Sequence, residues 1–163
     1  MFTRTIMTAT TAIAMALPVA AHHDEAGFVQ AGITVSHVHT VATGDMSHAI
    51  DLYMTIENDG EEAVTLTGAH VDFAQDGVFQ APVVGDDGTM SVREISAIEI
   101  APGQSVTLQP GGAHVVFNDV QESFAAGDHF HAGLSFADLG EMEIEVEVER
   151  ADEALHANPG ETG

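Results

Sequence analysis

The sequence predicts an all-β fold, a single antiparallel β-sandwich, on two observations. Turn-forming clusters recur at intervals of about ten residues: NDGE at 58–61, GDDG at 85–88, APGQ at 101–104, QPGG at 109–112, AGDH at 126–129 and DLGE at 138–141. Between them stand β-branched segments that alternate apolar and polar residues, such as AIDLYMTIE, SVTLQ, AHVVF and MEIEVEVE. Short strands at even spacing, joined by Gly, Pro and Asp turns, are the pattern of a sandwich or barrel. No segment carries a helical period, and no internal repeat is present.

The chain divides into four stretches. Residues 1–21 hold one cation (Arg4), an apolar run dotted with threonine, and Val19 and Ala21 placed as the −3 and −1 residues of a cleavage site. They are expected to be a secretory signal peptide directing the chain to the periplasm. The run is shorter and more polar than the ~20 apolar residues of a membrane anchor. With no cysteine after it, a lipoprotein anchor is not expected either. Residues 22–30 follow as a polar, histidine-bearing lead-in, 31–149 as the sandwich domain, and 150–163 as an acidic, flexible tail.

Charge limits the partners. The chain carries 26 Asp and Glu against three Lys and Arg, a formal charge of −23. Past the signal only Arg93 and Arg150 remain as fixed cations. Such a surface repels nucleic acid and anionic lipid, so neither is expected as a partner, and it attracts cations. The absence of cysteine removes disulfides and thiolate metal sites together. No Ser–His–Asp or paired-carboxylate pattern stands out from the general acidity, so the chain is not expected to be an enzyme.

Ten histidines, all after residue 21, are an excess that asks for a cause. In ITVSHVHT, alternation places Ile33, Val35, His37 and His39 on one strand face. In HAIDLYMTI the corresponding face is His48, Ile50, Leu52, Met54 and Ile56. The short loop VATGDMS between them contains Met46. His37, His39, His48 and Met46 are therefore expected at one mouth of the core, as an imidazole-rich site for Cu(II) or Zn(II). In HFHAGLSF the apolar face is Phe130, Ala132, Leu134 and Phe136, which turns His129 and His131 outward; two imidazoles so spaced can share a metal, or can simply be solvated. His22 and His23 would stand at or near the mature N-terminus, where an α-amine and imidazole together chelate Cu(II). His70 and His156 carry weaker expectations.

The run SAIEIAPGQSVTLQPGGAHVVF, with YMTIEN upstream and GDHFHAGLSF downstream, resembles the periplasmic copper chaperone family called PCuAC, over roughly residues 31–148. The resemblance implies a cupredoxin-like, Greek-key sandwich that carries copper to a respiratory oxidase in the membrane or to another copper chaperone. The family holds Cu(I) with two histidines and two methionines, a soft donor set suited to that ion. Counted onto this sequence, those ligands fall at Ala81, Val92, His114 and Val116, so only His114 matches; Met90 lies two positions from the expected methionine. Replacing thioethers by imidazoles moves preference towards Cu(II) or Zn(II).

The sequence is therefore expected to encode a periplasmic copper-binding protein, with zinc as the other possible ion, whose site has moved to an imidazole-rich place. The alternative is a metal-free periplasmic interaction module that kept the sandwich and lost copper, which Ala81, Val92 and Val116 favour. A third reading is an enzyme like the copper–zinc superoxide dismutases, where an HVH strand supplies copper ligands; the missing cysteines and the lack of a histidine-rich zinc loop count against it.

Overall fold

A computed structural model describes residues 27–43, 47–85 and 87–151. The expected signal peptide, His22, His23, Met46, His156 and nearly all of the tail lie outside these. The elements are all strands: β1 (Phe28–Gln30), β2 (Ile33–Val41), β3 (Ala49–Asn58), β4 (Val64–His70), β5 (Val78–Val84), β6 (Met90–Ile95), β7 (Ile98–Ile100), β8 (Ser105–Leu108), β9 (His114–Asn118), β10 (His129–Phe136) and β11 (Gly140–Glu149). Hydrogen bonding runs in the order β6-β5-β9-β3-β2-β11-β10-β4-β7, with β1 added to β2 and β8 to β3.

Each turn cluster falls between strands, for local reasons. Pro102–Gly103 and Pro110–Gly111 form tight turns closed by Gln104 N–H to Ala101 O and Gly112 N–H to Gln109 O. Gly103 and Gly111 take φ of 68° and 76°, the positive values that the third residue of a type II turn requires and that glycine adopts without strain. Sheet structure begins earlier than expected, inside the polar lead-in. Ala31 and Gly32 both have positive φ (50° and 85°) and join β1 to β2 as a two-residue hairpin, Gln30 facing Ile33.

Alternation supplies the core. Ile50, Leu52, Met54 and Ile56 of β3, Phe130, Ala132, Leu134 and Phe136 of β10, and Met142, Ile144, Val146 and Val148 of β11 are buried in one apolar cluster with Ile33 and Val35 of β2. At about 25 cal/mol per Å² of apolar surface removed from water, this burial is the main force holding the sandwich together. One pairing departs from the antiparallel expectation: β11 runs parallel to β2, Glu147 beside His39 and Glu149 beside Val41. No turn joins these two strands, so nothing in the local sequence fixes their relative direction.

β3 is the strand on which the architecture turns. Its first half pairs with β9, Leu52 facing Val115; its second half pairs with β8, Met54 facing Leu108. The chain from Gln109 to Ala113 therefore leaves β3 at the level of Tyr53 and returns just beyond it, pinned by Gln109 N–H to Ala113 O.

Candidate metal centre

Two of the four expected ligands at the mouth of the core are not there. The β2–β3 register shifts between Ser36 and His39, and His37 takes φ of 52°. This bulge breaks the alternation that placed His37 inward, and His37 is exposed. His48 is also exposed and precedes β3 rather than starting its inward face. Because β2 continues two residues past His39 to Val41, His39 pairs with Tyr53, not with the start of β3. Five residues of extended strand, about 17 Å, separate that row from His48. Among the described residues no group of three His, Cys, Asp or Glu side chains is poised to hold a metal ion.

His39 and His114 instead flank Tyr53. Tyr53 is buried yet stands outside the main core cluster, because it occupies the face of β3 opposite Leu52 and Met54. Its ring lies 5.3 Å from the His39 ring on β2 and 6.2 Å from the His114 ring at the start of β9. Both imidazoles are held the same way. His39 Nδ1 donates to the carbonyl of His37 at 2.9 Å, and His114 Nδ1 donates to the carbonyl of Gly112 at 3.0 Å. A carbonyl only accepts, so Nδ1 is the donor in each ring, and in a neutral imidazole so held Nε2 is the nitrogen with the lone pair, the form in which imidazole binds metals. The bulge at His37 and the Pro110–Gly111 turn supply these two carbonyls.

His39 Nε2 is shielded from solvent and has no hydrogen-bond partner among the described residues. Leaving a buried acceptor unmatched costs about 1–3 kcal/mol. A metal ion is one ligand that would remove that cost. Tyr53 is not a third donor: its hydroxyl donates to Asp51 Oδ2 at 3.1 Å. Burial, then the charge of Asp51, then that hydrogen bond, push the phenol well above its usual range, so it stays protonated. A shallow depression of about 310 Å³, lined by Val41, Thr43, Ser47, Ala49, Asp51 and Tyr53, opens beside the ring.

The other expected ligands are scattered. Met90 is 74 % exposed on β6, where it pairs with Val84, and Val92 pairs with Pro82. The partner of His114 on β5 is Gln80, and Gln80 in turn faces Glu94. Met90 is thus four residues, about 13 Å, along the strand from the His114 row. Ala81 and Val116 offer no donor atoms. His70, His129 and His131 lie on the outer surface of β4 and β10, the last two outward as expected. What the sequence did not reveal is Tyr53 as the residue between the histidines, and Gln80 as the neighbour of His114. Only the strand register brings them together.

The strands form a cupredoxin-like β-sandwich with two imidazoles flanking Tyr53. A family profile described as "LpqE-like: Putative lipoprotein LpqE-like" matches residues 33–148. The chain belongs to that LpqE-like family. Similar solved structures include the copper-bound PCuAC domain from PmoF2, with 23 % identity and a TM-score of 0.66 over 76 % of this chain and 97 % of that one. The apo PCuAC domain from PmoF1 matches with 22 % identity and a TM-score of 0.67 over 76 % and 98 %. The solution structure of apo-DR1885 from Deinococcus radiodurans has 20 % identity and a TM-score of 0.54 over 93 % and 99 %. These likenesses show the PCuAC-type fold. No curated protein matches the sequence.

Proposed function

We propose that this protein is an extracytoplasmic copper carrier whose ion is held by Nε2 of His39 and Nε2 of His114 above Tyr53. The observation that carries the reading is the matched pair of imidazoles. Each has its Nδ1 proton bound to a backbone carbonyl, and His39 Nε2 is buried without a partner. Membership of the LpqE-like family and the shared fold of the PCuAC domains support copper as the cargo. Imidazole nitrogen is a good copper ligand, and with the thioether positions lost it accommodates Cu(II) as well as Cu(I). Zinc is less well served, since a closed zinc site takes four protein ligands. Two protein ligands leave coordination positions open, which suits an ion that is to be passed on to a recipient such as a membrane oxidase or another copper chaperone.

The test is a copper competition titration of His39→Ala and His114→Ala. Each variant is expected to lose at least tenfold in affinity, while His37→Ala and His48→Ala bind as the parent does. Equal binding by all four would reject the site, and a parent that binds no copper would favour the metal-free interaction module, a reading that rests on the donor-free residues Ala81, Val92 and Val116.

A further inference from the structure

The β5–β6 hairpin carries Val84, Met90 and Val92, three of the four large apolar side chains left exposed among the described residues. Strand pairing sets Met90 opposite Val84 and Val92 opposite Pro82, and alternation puts all four on one face. Met90 is 74 % and Val92 60 % exposed, with Pro82 exposed beside them. β6 is also the end of the hydrogen-bonded order, with β5 its one partner among the described residues. Gly85 N–H bonds to Thr89 O. By alternation along an antiparallel pair, Ser91 and Arg93 then turn their backbone groups to β5, while Met90, Val92 and Glu94 turn theirs to the open edge. Pro82, which has no N–H to give, fits opposite Val92 for the same reason. An exposed apolar strand edge is a template for another strand.

Charge narrows which strand that is. Arg93 lies on the other face of β6, opposite Ala81. Its Nε donates to Ser91 Oγ at 3.3 Å, and among the described residues it makes no ion pair. An acidic partner would supply the missing carboxylate, and the chain itself, at a formal charge of −23, is acidic. That charge opposes self-association over most of the surface, but β6 is neutral, since Arg93 offsets Glu94. A two-fold axis through Ser91 makes the edge complementary to itself. Met90 then faces the partner's Val92, and both turn their backbone groups to the shared edge. Arg93 faces the partner's Thr89. Within one chain the Thr89 N–H and hydroxyl bond to Asp87 Oδ1 at 3.0 and 2.7 Å, so a carboxylate is already fixed at that place.

We propose that β6 is a docking edge for a second copy of this chain, joined as an antiparallel β6–β6 pair centred on Ser91. The pair covers the Met90–Val92 rows, satisfies the open backbone groups and gives Arg93 its carboxylate. It uses neither His39 nor His114, so it stands or falls apart from the copper-carrier reading.

The experiment measures the mass of the full chain by sedimentation equilibrium over a range of protein concentrations. The parent is expected to pass from monomer to dimer. Val92→Lys, which puts a charge in the apolar row, and Arg93→Glu should each weaken the dimer at least tenfold, while Val29→Lys, at an equally exposed site on β1, should not. The centre of the pair has its own test, because the chain contains no cysteine. At the axis the two Ser91 Cα atoms stand about 4.5 Å apart, within disulfide reach. The two Glu94 positions are six rows, about 20 Å, apart. Under mild oxidation Ser91→Cys should therefore cross-link at least tenfold faster than Glu94→Cys. A parent that stays monomeric at every concentration overturns the proposal and leaves the edge to a different partner. So does a dimer that Val92→Lys leaves intact, or equal cross-linking at positions 91 and 94.

Discussion

Tyr53 is the only tyrosine in a chain without tryptophan, and it stands between the imidazoles of His39 and His114. Its phenol is buried and tied to Asp51, which raises its folded-state pKa above the ordinary value near 10. For a group raised in this way, the stabilising effect is complete below pH 10 and declines as pH climbs from there towards the folded value. Phenolate absorbance should therefore stay flat in the native protein when the denatured chain titrates near pH 10; titration at the ordinary pH in the folded state would show that Tyr53 is solvated. At His37 the backbone rather than the side chain matters. Its φ of 52° suits glycine and strains a β-branched residue. His37→Gly is expected to keep or slightly raise stability, and His37→Val to lose about 1–2 kcal/mol in urea unfolding. Equal stability of the two would mean that the bulge is not set at this position. The histidine excess was legible, but residue 37 was not legible as a bulge. Nothing in VSHVHT marks where an extra residue enters a strand, so period-2 alternation carried His37 onto the wrong face.

At the scale of elements, the site depends on β3 exchanging partners at Tyr53. The β8–β9 turn leaves the sheet there and presents His114, while the bulge in β2 presents His39 from the other side. The far end of β3 is fixed by Asn58, which is buried and donates through Nδ2 to the carbonyls of Glu62 and Ile100 while its Oδ1 accepts from Gly60 N–H. Asn58→Ala would strand these groups and should cost about 2–4 kcal/mol, measured by urea unfolding; a loss below about 0.5 kcal/mol would mean that water replaces the side chain. The turns were legible because Pro-Gly and Asp-Gly pairs act locally. So were the inward faces of β3, β10 and β11, where the alternation is unbroken. The pairing of residues 39, 53 and 114 was not legible, because register between distant strands is decided by the whole sheet. The parallel contact of β2 with β11 was hidden for the same reason.

Across the whole molecule, the apolar faces meet in one core and the carboxylates are left outside, giving a strongly negative sandwich that draws cations towards it. Two groups of imidazoles then stand at different places on this surface. The His39–Tyr53–His114 row is half-buried at the junction of β2, β3 and β9, and His129, His131 and Glu145 lie open on β10 and β11. Fold class was readable from turn spacing and composition, which act over the full length of the chain. The meeting of His39, Tyr53 and His114 was not, since only tertiary structure joins these residues. The most direct test of the proposed copper centre is the fluorescence of Tyr53 during titration with Cu(II), which quenches an emitter only at close range. The parent protein should lose tyrosine emission in step with one equivalent of copper, and His39→Ala/His114→Ala should keep its emission over the same range. Copper that binds without changing Tyr53 emission, or quenching that survives in the double variant, would contradict the assignment.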